Sequence, residues 1–366
     1  MLKSIKLQKV FSQSSLLLSI SKRYFSQIIK IKHEELVNNT NSKELFEKIE
    51  QAYGSDGLGI LIIEKVPEYL QAKNRLLLLT NDLVKLPQEV LKTLERPEIN
   101  YALGWSYGKE YFNDKPDFLK ASYYAQLPRQ SVQNPSENNI WPKELPQLRE
   151  AFFDLGRIIR SNGFLLLTVI DQYIKTRFHQ YSLDYPNLIK DSSMNTGRML
   201  YYFPKKYANG QDVADNWCEW HNDHGSLTGL CSAIYVDEAG KEAKVNLSET
   251  GLYIQNRKGE VVRATFGKDD IAYQLGETLQ VHSGGILHAT PHAVKVMNDI
   301  PDDIARITFA LFMEPNNEVK LNIPEGAELE KVKTSNIYKV PKLQDRYKPG
   351  MSFGEFTDAT YNKFYK

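Results

Sequence analysis

From Gly197 to Met313 the sequence changes period. Runs rich in Val, Ile, Thr, Tyr and Phe return at intervals of roughly eight to twelve residues, each alternating apolar and polar positions. They cover 198–203, 219–223, 226–235, 251–255, 261–265, 271–275, 278–282, 286–296 and 305–313, and each is predicted to be a strand. Turn sequences such as Ser283-Gly284-Gly285 and Asn256-Arg257-Lys258-Gly259 separate them. Many short strands with such spacing cannot all bury a face in an open sheet, so the rhythm predicts a sandwich or jelly roll. The charged stretch 237–249 interrupts it and reads as an insertion carried outside the barrel.

The sequence before Gly197 reads differently. Asn41 and Glu44 predict a capped helix start, Leu45, Ile49 and Ala52 continue it at helical spacing, and Gly54 ends it. The block Leu58, Ile60, Leu61, Ile62 and Ile63 predicts a buried strand, followed by a leucine-rich helix over 69–83. Leu148, Phe152, Leu155, Ile159, Leu166, Ile170 and Tyr173 trace one face of a long helix that braces a sheet. Between these lies a loop-like stretch, 101–142, dense in aromatics, which either lines a pocket or packs an irregular edge. The expected class is mainly β with flanking helices and a helical N-terminal region.

Composition removes several functions. The first twenty-five residues hold Lys3, Lys6, Lys9, Lys22 and Arg23 and no acid, and the remainder carries 41 basic against 45 acidic residues, which argues against nucleic acid as a partner. The acid-free, serine-rich segment 1–30 has transit-peptide composition, and Arg23-Tyr24-Phe25-Ser26 is similar to an arginine-proximal mitochondrial processing site. The alternative is a basic tail on a cytoplasmic protein. No apolar run approaches the ~20 residues that span a bilayer. Cys218 and Cys231 have no second pair with which to build a zinc site or disulfide framework, and read as free thiols.

Chemistry concentrates in Trp220-His221-Asn222-Asp223-His224-Gly225. On an extended segment His221 and Asp223 point to the same side, so one metal ion can take both, with a third ligand from elsewhere. His288 and His292 are four apart, as in a helical zinc pair, but Pro291 opposes a helix there. His224 and His282 read as packing or hydrogen-bonding residues. In an alternating strand Arg306, Thr308, Ala310 and Phe312 share a face, and an arginine pointing into a barrel is costly unless an anion meets it.

Together, His221-x-Asp223, Ala289-Thr290-Pro291-His292-Ala293-Val294 and Arg306-x-Thr308 resemble the iron- and 2-oxoglutarate-dependent oxygenases of the isopenicillin N synthase-like superfamily. The resemblance is similar to an uncharacterised eukaryotic branch through Gly104-Trp105-Ser106-Tyr107-Gly108-Lys109-Glu110 and Phe353-Gly354-Glu355-Phe356. It implies a double-stranded β-helix over 191–315, an N-terminal α/β region over 31–190 and a C-terminal lid or support over 316–366. It implies Fe(II) held by His221, Asp223 and His292, and 2-oxoglutarate held by Arg306, Thr308 and Tyr202, with O2 as second cosubstrate. Leu200 stands where the family often has an asparagine. The implied reaction oxidises a small-molecule substrate and releases succinate and CO2. Two other readings stay open: an oxidase of the same fold without 2-oxoglutarate, and a non-catalytic metal- or ligand-binding protein.

Overall fold

The computed structural model describes residues 28–112, 115–129, 138–208 and 216–364; the transit-peptide expectation falls almost wholly outside them. Fifteen strands are described: β1 (Ile29–Lys32), β2 (Ile60–Glu64), β3 (Gly104–Tyr107), β4 (Tyr111–Phe112), β5 (Lys115–Pro116), β6 (Lys120–Gln126), β7 (Thr196–Tyr202), β8 (Asn216–His221), β9 (Leu227–Cys231), β10 (Ile234–Val236), β11 (Gly251–Gln255), β12 (Val261–Ala264), β13 (Ile271–Leu275), β14 (His292–Lys295) and β15 (Ala305–Met313). A nine-stranded sheet runs β1-β2-β13-β9-β15-β7-β6-β3, with β10 also on β15. A smaller sheet runs β12-β11-β14-β8, and β4 pairs with β5. β1 and β2 at one end and β6 and β3 at the other, all from before residue 190, thus extend both edges of the large sheet.

The alternation of β15 sorts its side chains between two cores. Ile307, Phe309, Leu311 and Met313 join an outer cluster with Phe152, Leu155, Ile159, Leu166 and Ile170 of the helix Gln147–Arg177. Ala310 and Phe312 join an inner cluster with Ile60, Ile62, Leu200, Tyr202, Trp217, Ile254 and Val294, between the two sheets. The helix lies close against the sheet: the Tyr273 hydroxyl donates to the Ile159 carbonyl at 2.6 Å, and a Cβ on Gly229 would stand 2.3 Å from Ile159. Burial on both faces explains why Ile60–Ile63 of β2 read as an unbroken apolar run. Among the described residues no helix is long and apolar enough to cross a membrane.

Several sequence expectations need correction. The predicted strand 278–282 is a helix, Glu277–His282, all of it buried. Its Thr-Leu-Gln-Val-His alternation fits either state in so short a run, and the hydrogen bonds from its first N–H groups to a neighbouring loop decide it. Of 286–296 only His292–Lys295 pairs, because Gly284 and Gly285 take left-handed φ of 63° and 74° and Pro291 lacks a donor. The helix Lys43–Tyr53 is capped by Ser42, which accepts from the Leu45 amide at 3.1 Å, one residue after the expected Asn41. The aromatic stretch is not merely loop: β3 and β6 bury Trp105 and Tyr123 at the sheet edge. The stretch 237–249 is largely irregular, yet Ala243, Val245 and Leu247 lie against the inner cluster. Asp299 pins its end, accepting from the Ser248 and Glu249 amides at 2.7 and 2.6 Å.

Candidate metal centre

The register of the small sheet creates the site. β8 ends at His221 and β14 begins at His292, and these two residues are opposite one another, with ring centroids 4.2 Å apart. Asp223 lies just past the end of β8, not on it. Its Oδ1 is 3.8 Å from Nε2 of each histidine. One ligating atom from each residue falls within 4.8 Å of the others, the separation of three ligands around one small cation. Asp223 and His292 have side chains only 8% and 7% exposed, while that of His221 is 31% exposed.

The supporting bonds orient the rings. His221 Nδ1 is 2.7 Å from the Glu219 carbonyl, so its N–H donates there and the ring is held with Nε2 toward Asp223. His292 bonds the Thr290 backbone, with the Gln274 amide nitrogen 2.8 Å from its Nδ1. Asp223 Oδ2 is buried without a hydrogen-bond partner among the described residues. Burial opposes charge on His221, but Cys218 and Asp223 outweigh it and raise its pKa to about 9. On His292 burial, then the charge of His221, lower the pKa to about 4. Burial also opposes charge on Asp223, yet the two histidines hold it below the ordinary carboxylate range. Two imidazoles converging on a buried carboxylate make a donor set that suits a divalent cation.

Across the barrel, β15 pairs with β7 so that Arg306 is opposite Tyr202. The Arg306 guanidinium lies 4.9 Å from the Tyr202 ring centroid, and its Nε and Nη1 are buried with no partner among the described residues. Thr308 donates its hydroxyl to the Cys231 carbonyl at 2.9 Å, which leaves its oxygen free to accept. The row Arg306–Tyr202 continues to Lys120 on β6. There Lys120 pairs with Glu110 at 2.7 Å and with Asp117 at 3.5 Å, and Arg198 donates to the Ser122 hydroxyl at 3.0 Å. Burial opposes charge on Glu110, but Arg198 and Lys120 bring its pKa down to about 2.

The remaining histidines lie apart from the three ligands. His224 stacks on Phe353 at 5.7 Å, His282 bonds Tyr185 at 3.0 Å and the Lys320 carbonyl at 3.1 Å, and His288 accepts from Arg257 at 2.9 Å. Both cysteines are free. Cys231 is buried, whereas Cys218 is only half-buried, with its Sγ 3.9 Å from His221 Nδ1. Sequence reasoning missed Gln274, Lys120 and Glu110. Gln274 was the detectable one, a fully buried amide in an otherwise apolar strand.

Comparison with known proteins places this architecture. No family model matches the chain, and no curated protein matches it. Solved structures do. A Caulobacter crescentus protein assigned to the 2OG-Fe(II) oxygenase family superposes with a TM-score of 0.65 at 16% identity, covering 92% of this chain and 99% of that one. The chain has the fold of the 2OG-Fe(II) oxygenases. A full-length Neurospora crassa protein crystallised with alpha-ketoglutarate and thymine shares this oxygenase fold, at a TM-score of 0.62 and 18% identity over 92% of this chain and 97% of that one. JOX2, crystallised with 2OG, Fe and JA, matches at a TM-score of 0.60 and 14% identity over 92% and 84% of the two chains. The double-stranded β-helix expectation accords with these neighbours.

Proposed function

We propose that the chain is a non-haem Fe(II)- and 2-oxoglutarate-dependent oxygenase acting on a small molecule. The carrying observation is the pairing, inside one barrel, of three converging candidate metal donors with a buried arginine whose Nε and Nη1 meet no partner among the described residues. A buried guanidinium without a counter-ion is costly, and the distal carboxylate of a dicarboxylic acid would offset that cost. The structural neighbours crystallised with alpha-ketoglutarate or 2OG support the same reading.

In this reading His221, Asp223 and His292 hold Fe(II), which together with 2-oxoglutarate and O2 supplies the oxidising chemistry and releases succinate and CO2. The protein's own part is orientation and exclusion of water. The Glu219 carbonyl and the Thr290 backbone, with Gln274, keep both imidazoles aimed by their second nitrogens. Arg306 takes the far carboxylate, with Tyr202 beneath the guanidinium, and the Thr308 hydroxyl can join it by turning its hydrogen from the Cys231 carbonyl to the carboxylate. Apolar neighbours such as Leu200, Trp217 and Val294 keep the space between the sheets dry. The polar row of Lys120, Ser122 and Arg198 would face the substrate. The basic, acid-free first thirty residues support mitochondrial import of this enzyme.

The test is anaerobic titration of the purified protein with Fe(II) and then 2-oxoglutarate, watching for the visible charge-transfer band of the chelate. Iron uptake without that band, and oxygen consumption without succinate, would favour the oxidase reading instead.

A further inference from the structure

His221 and His292 take their places from strand register, but Asp223 sits on a turn with no strand of its own. Residues 222–226 hang instead from the start of the helix Glu277–His282. The Glu277 amide donates to the Asp223 carbonyl at 2.8 Å, the Thr278 amide to those of His224 and Gly225 at 3.2 and 3.1 Å, and the Gly276 amide to that of Ser226 at 3.0 Å. The Glu277 side chain also accepts from the Asn222 amide at 3.1 Å. One residue therefore holds Asn222 by its side chain and Asp223 by its backbone.

Glu277 is itself held from far along the chain. Arg346 Nη2 stands 2.7 Å from both Glu277 oxygens, and the two side chains are 2% and 1% exposed. Arg346 is fixed in turn by Thr360 Oγ1 at 2.7 Å, the Pro341 carbonyl at 3.1 Å and the Phe356 ring at 5.3 Å. Phe353 and Phe356 pack with Leu321, Leu343 and Tyr347 in a third apolar cluster.

We infer that Arg346 is a positioning residue for the metal centre, acting through Glu277 on the Asn222–Asp223 turn. The inference rests on the iron reading above. A buried ion pair contributes little net stability compared with apolar residues of the same volume, so stability alone does not account for it. Its geometry does: the shared Oε1 of Glu277 joins Arg346 to the turn that presents the carboxylate ligand. Groups that orient metal ligands typically govern affinity by about 10–100-fold when removed.

The full-length chain is titrated with Fe(II) under anaerobic conditions against a chromophoric chelator, alongside thermal unfolding of the metal-free form. Parent, Arg346→Met, Arg346→Lys, Asn222→Ala and Leu343→Ala are compared. Arg346→Met and Asn222→Ala are expected to bind Fe(II) about 10–100-fold more weakly, with Arg346→Lys between them and the parent. Leu343→Ala opens a cavity in the same C-terminal cluster and lowers the melting temperature, yet should keep parental Fe(II) affinity. Should Arg346→Met not fold, Asn222→Ala at the half-exposed end of the chain of bonds decides the matter. Parental affinity in Arg346→Met or Asn222→Ala, or equal weakening in Leu343→Ala, overturns the positioning role. Absence of Fe(II) uptake by the parent overturns the iron reading itself, and is seen before any variant is compared.

Discussion

Arg306 keeps two buried guanidinium nitrogens without a partner among the described residues, so its replacement should have opposite effects with and without ligand. In the ligand-free protein Arg306→Ala removes an uncompensated charge, and its melting temperature should equal or exceed the parent's. With metal present, added 2-oxoglutarate should raise the parent's melting temperature and barely move the variant's. A charge-assisted hydrogen bond is worth about 1.5–3 kcal/mol, or roughly ten- to hundredfold in 2-oxoglutarate affinity, while Fe(II) affinity is kept. Equal cosubstrate affinity in the two proteins, by titration of the chelate band, would remove the assignment. Glu110 allows a pH test. Its folded pKa of about 2 lies below the 4.5 of an ordinary glutamate, so its contribution is complete above the unfolded pKa and is lost as pH falls toward 2. The shift corresponds to at most ~3 kcal/mol. Denaturant unfolding at pH 6 and pH 3 should show Glu110→Gln well below the parent at the first pH and nearer to it at the second. A gap that is the same at both would show that the carboxylate's charge is not what matters. His221, Asp223 and His292 were legible in the sequence as candidate metal donors because the first two are separated by a single residue and the third follows a Thr-Pro step. Gln274, Glu110 and Arg346 were not, since only the folded chain brings them to their partners.

Strands were legible wherever alternation had a buried face to report. β11, β13 and β15 fall where the period-two pattern put them, and the face shared by Arg306, Thr308 and Ala310 is the inner one. The helix Glu277–His282 was not legible, because its conformation depends on hydrogen bonds to a turn fifty residues earlier in the chain. That contact also explains Gly276, whose φ of −99° any residue can adopt. A Cβ there would stand 2.1 Å from the Gly225 carbonyl oxygen and 3.2 Å from that of Asp223, both backbone atoms with no rotamer to give. Gly276→Ala should therefore push the helix away from the ligand turn, at a cost of about 1–3 kcal/mol. The expected outcome is a lower melting temperature together with weaker Fe(II) binding, read by unfolding scans and metal titration. Unchanged values for both would mean that the two segments separate freely. Gly163 makes a useful contrast, since the atom nearest its added Cβ is the flexible Met313 Sδ at 2.4 Å. Alanine gains about 1 kcal/mol of helix propensity there, so Gly163→Ala should be much milder.

At the scale of the molecule, segments distant in sequence are interleaved in one sheet, which bears on how the chain unfolds. β13, from the later half, is paired on one side with β2 and on the other with β9. β7 is likewise paired with β15 and with β6, so each of these strands has a neighbour from before residue 190. The helix Gln147–Arg177 then covers the face formed by these strands, through Phe152 against Phe309 at 5.3 Å and Ile159 against Tyr273. Removing the N-terminal residues would strip backbone partners from β13 and β7 and expose the whole outer cluster, and unpaired strand edges beside exposed apolar surface promote aggregation. A fragment spanning 191–315 is therefore expected to be insoluble or unfolded alone, although the metal donors and Arg306 all fall within it. For the same reason the intact chain should unfold in one main transition, with the calorimetric enthalpy matching the van't Hoff enthalpy. Two well-separated transitions would show that the sheet divides where the sequence changes period. Near-ultraviolet circular dichroism and Fe(II) release, followed along the same temperature ramp, should report a single midpoint, because the turn carrying Asp223 and the packing beneath it belong to one cooperative structure.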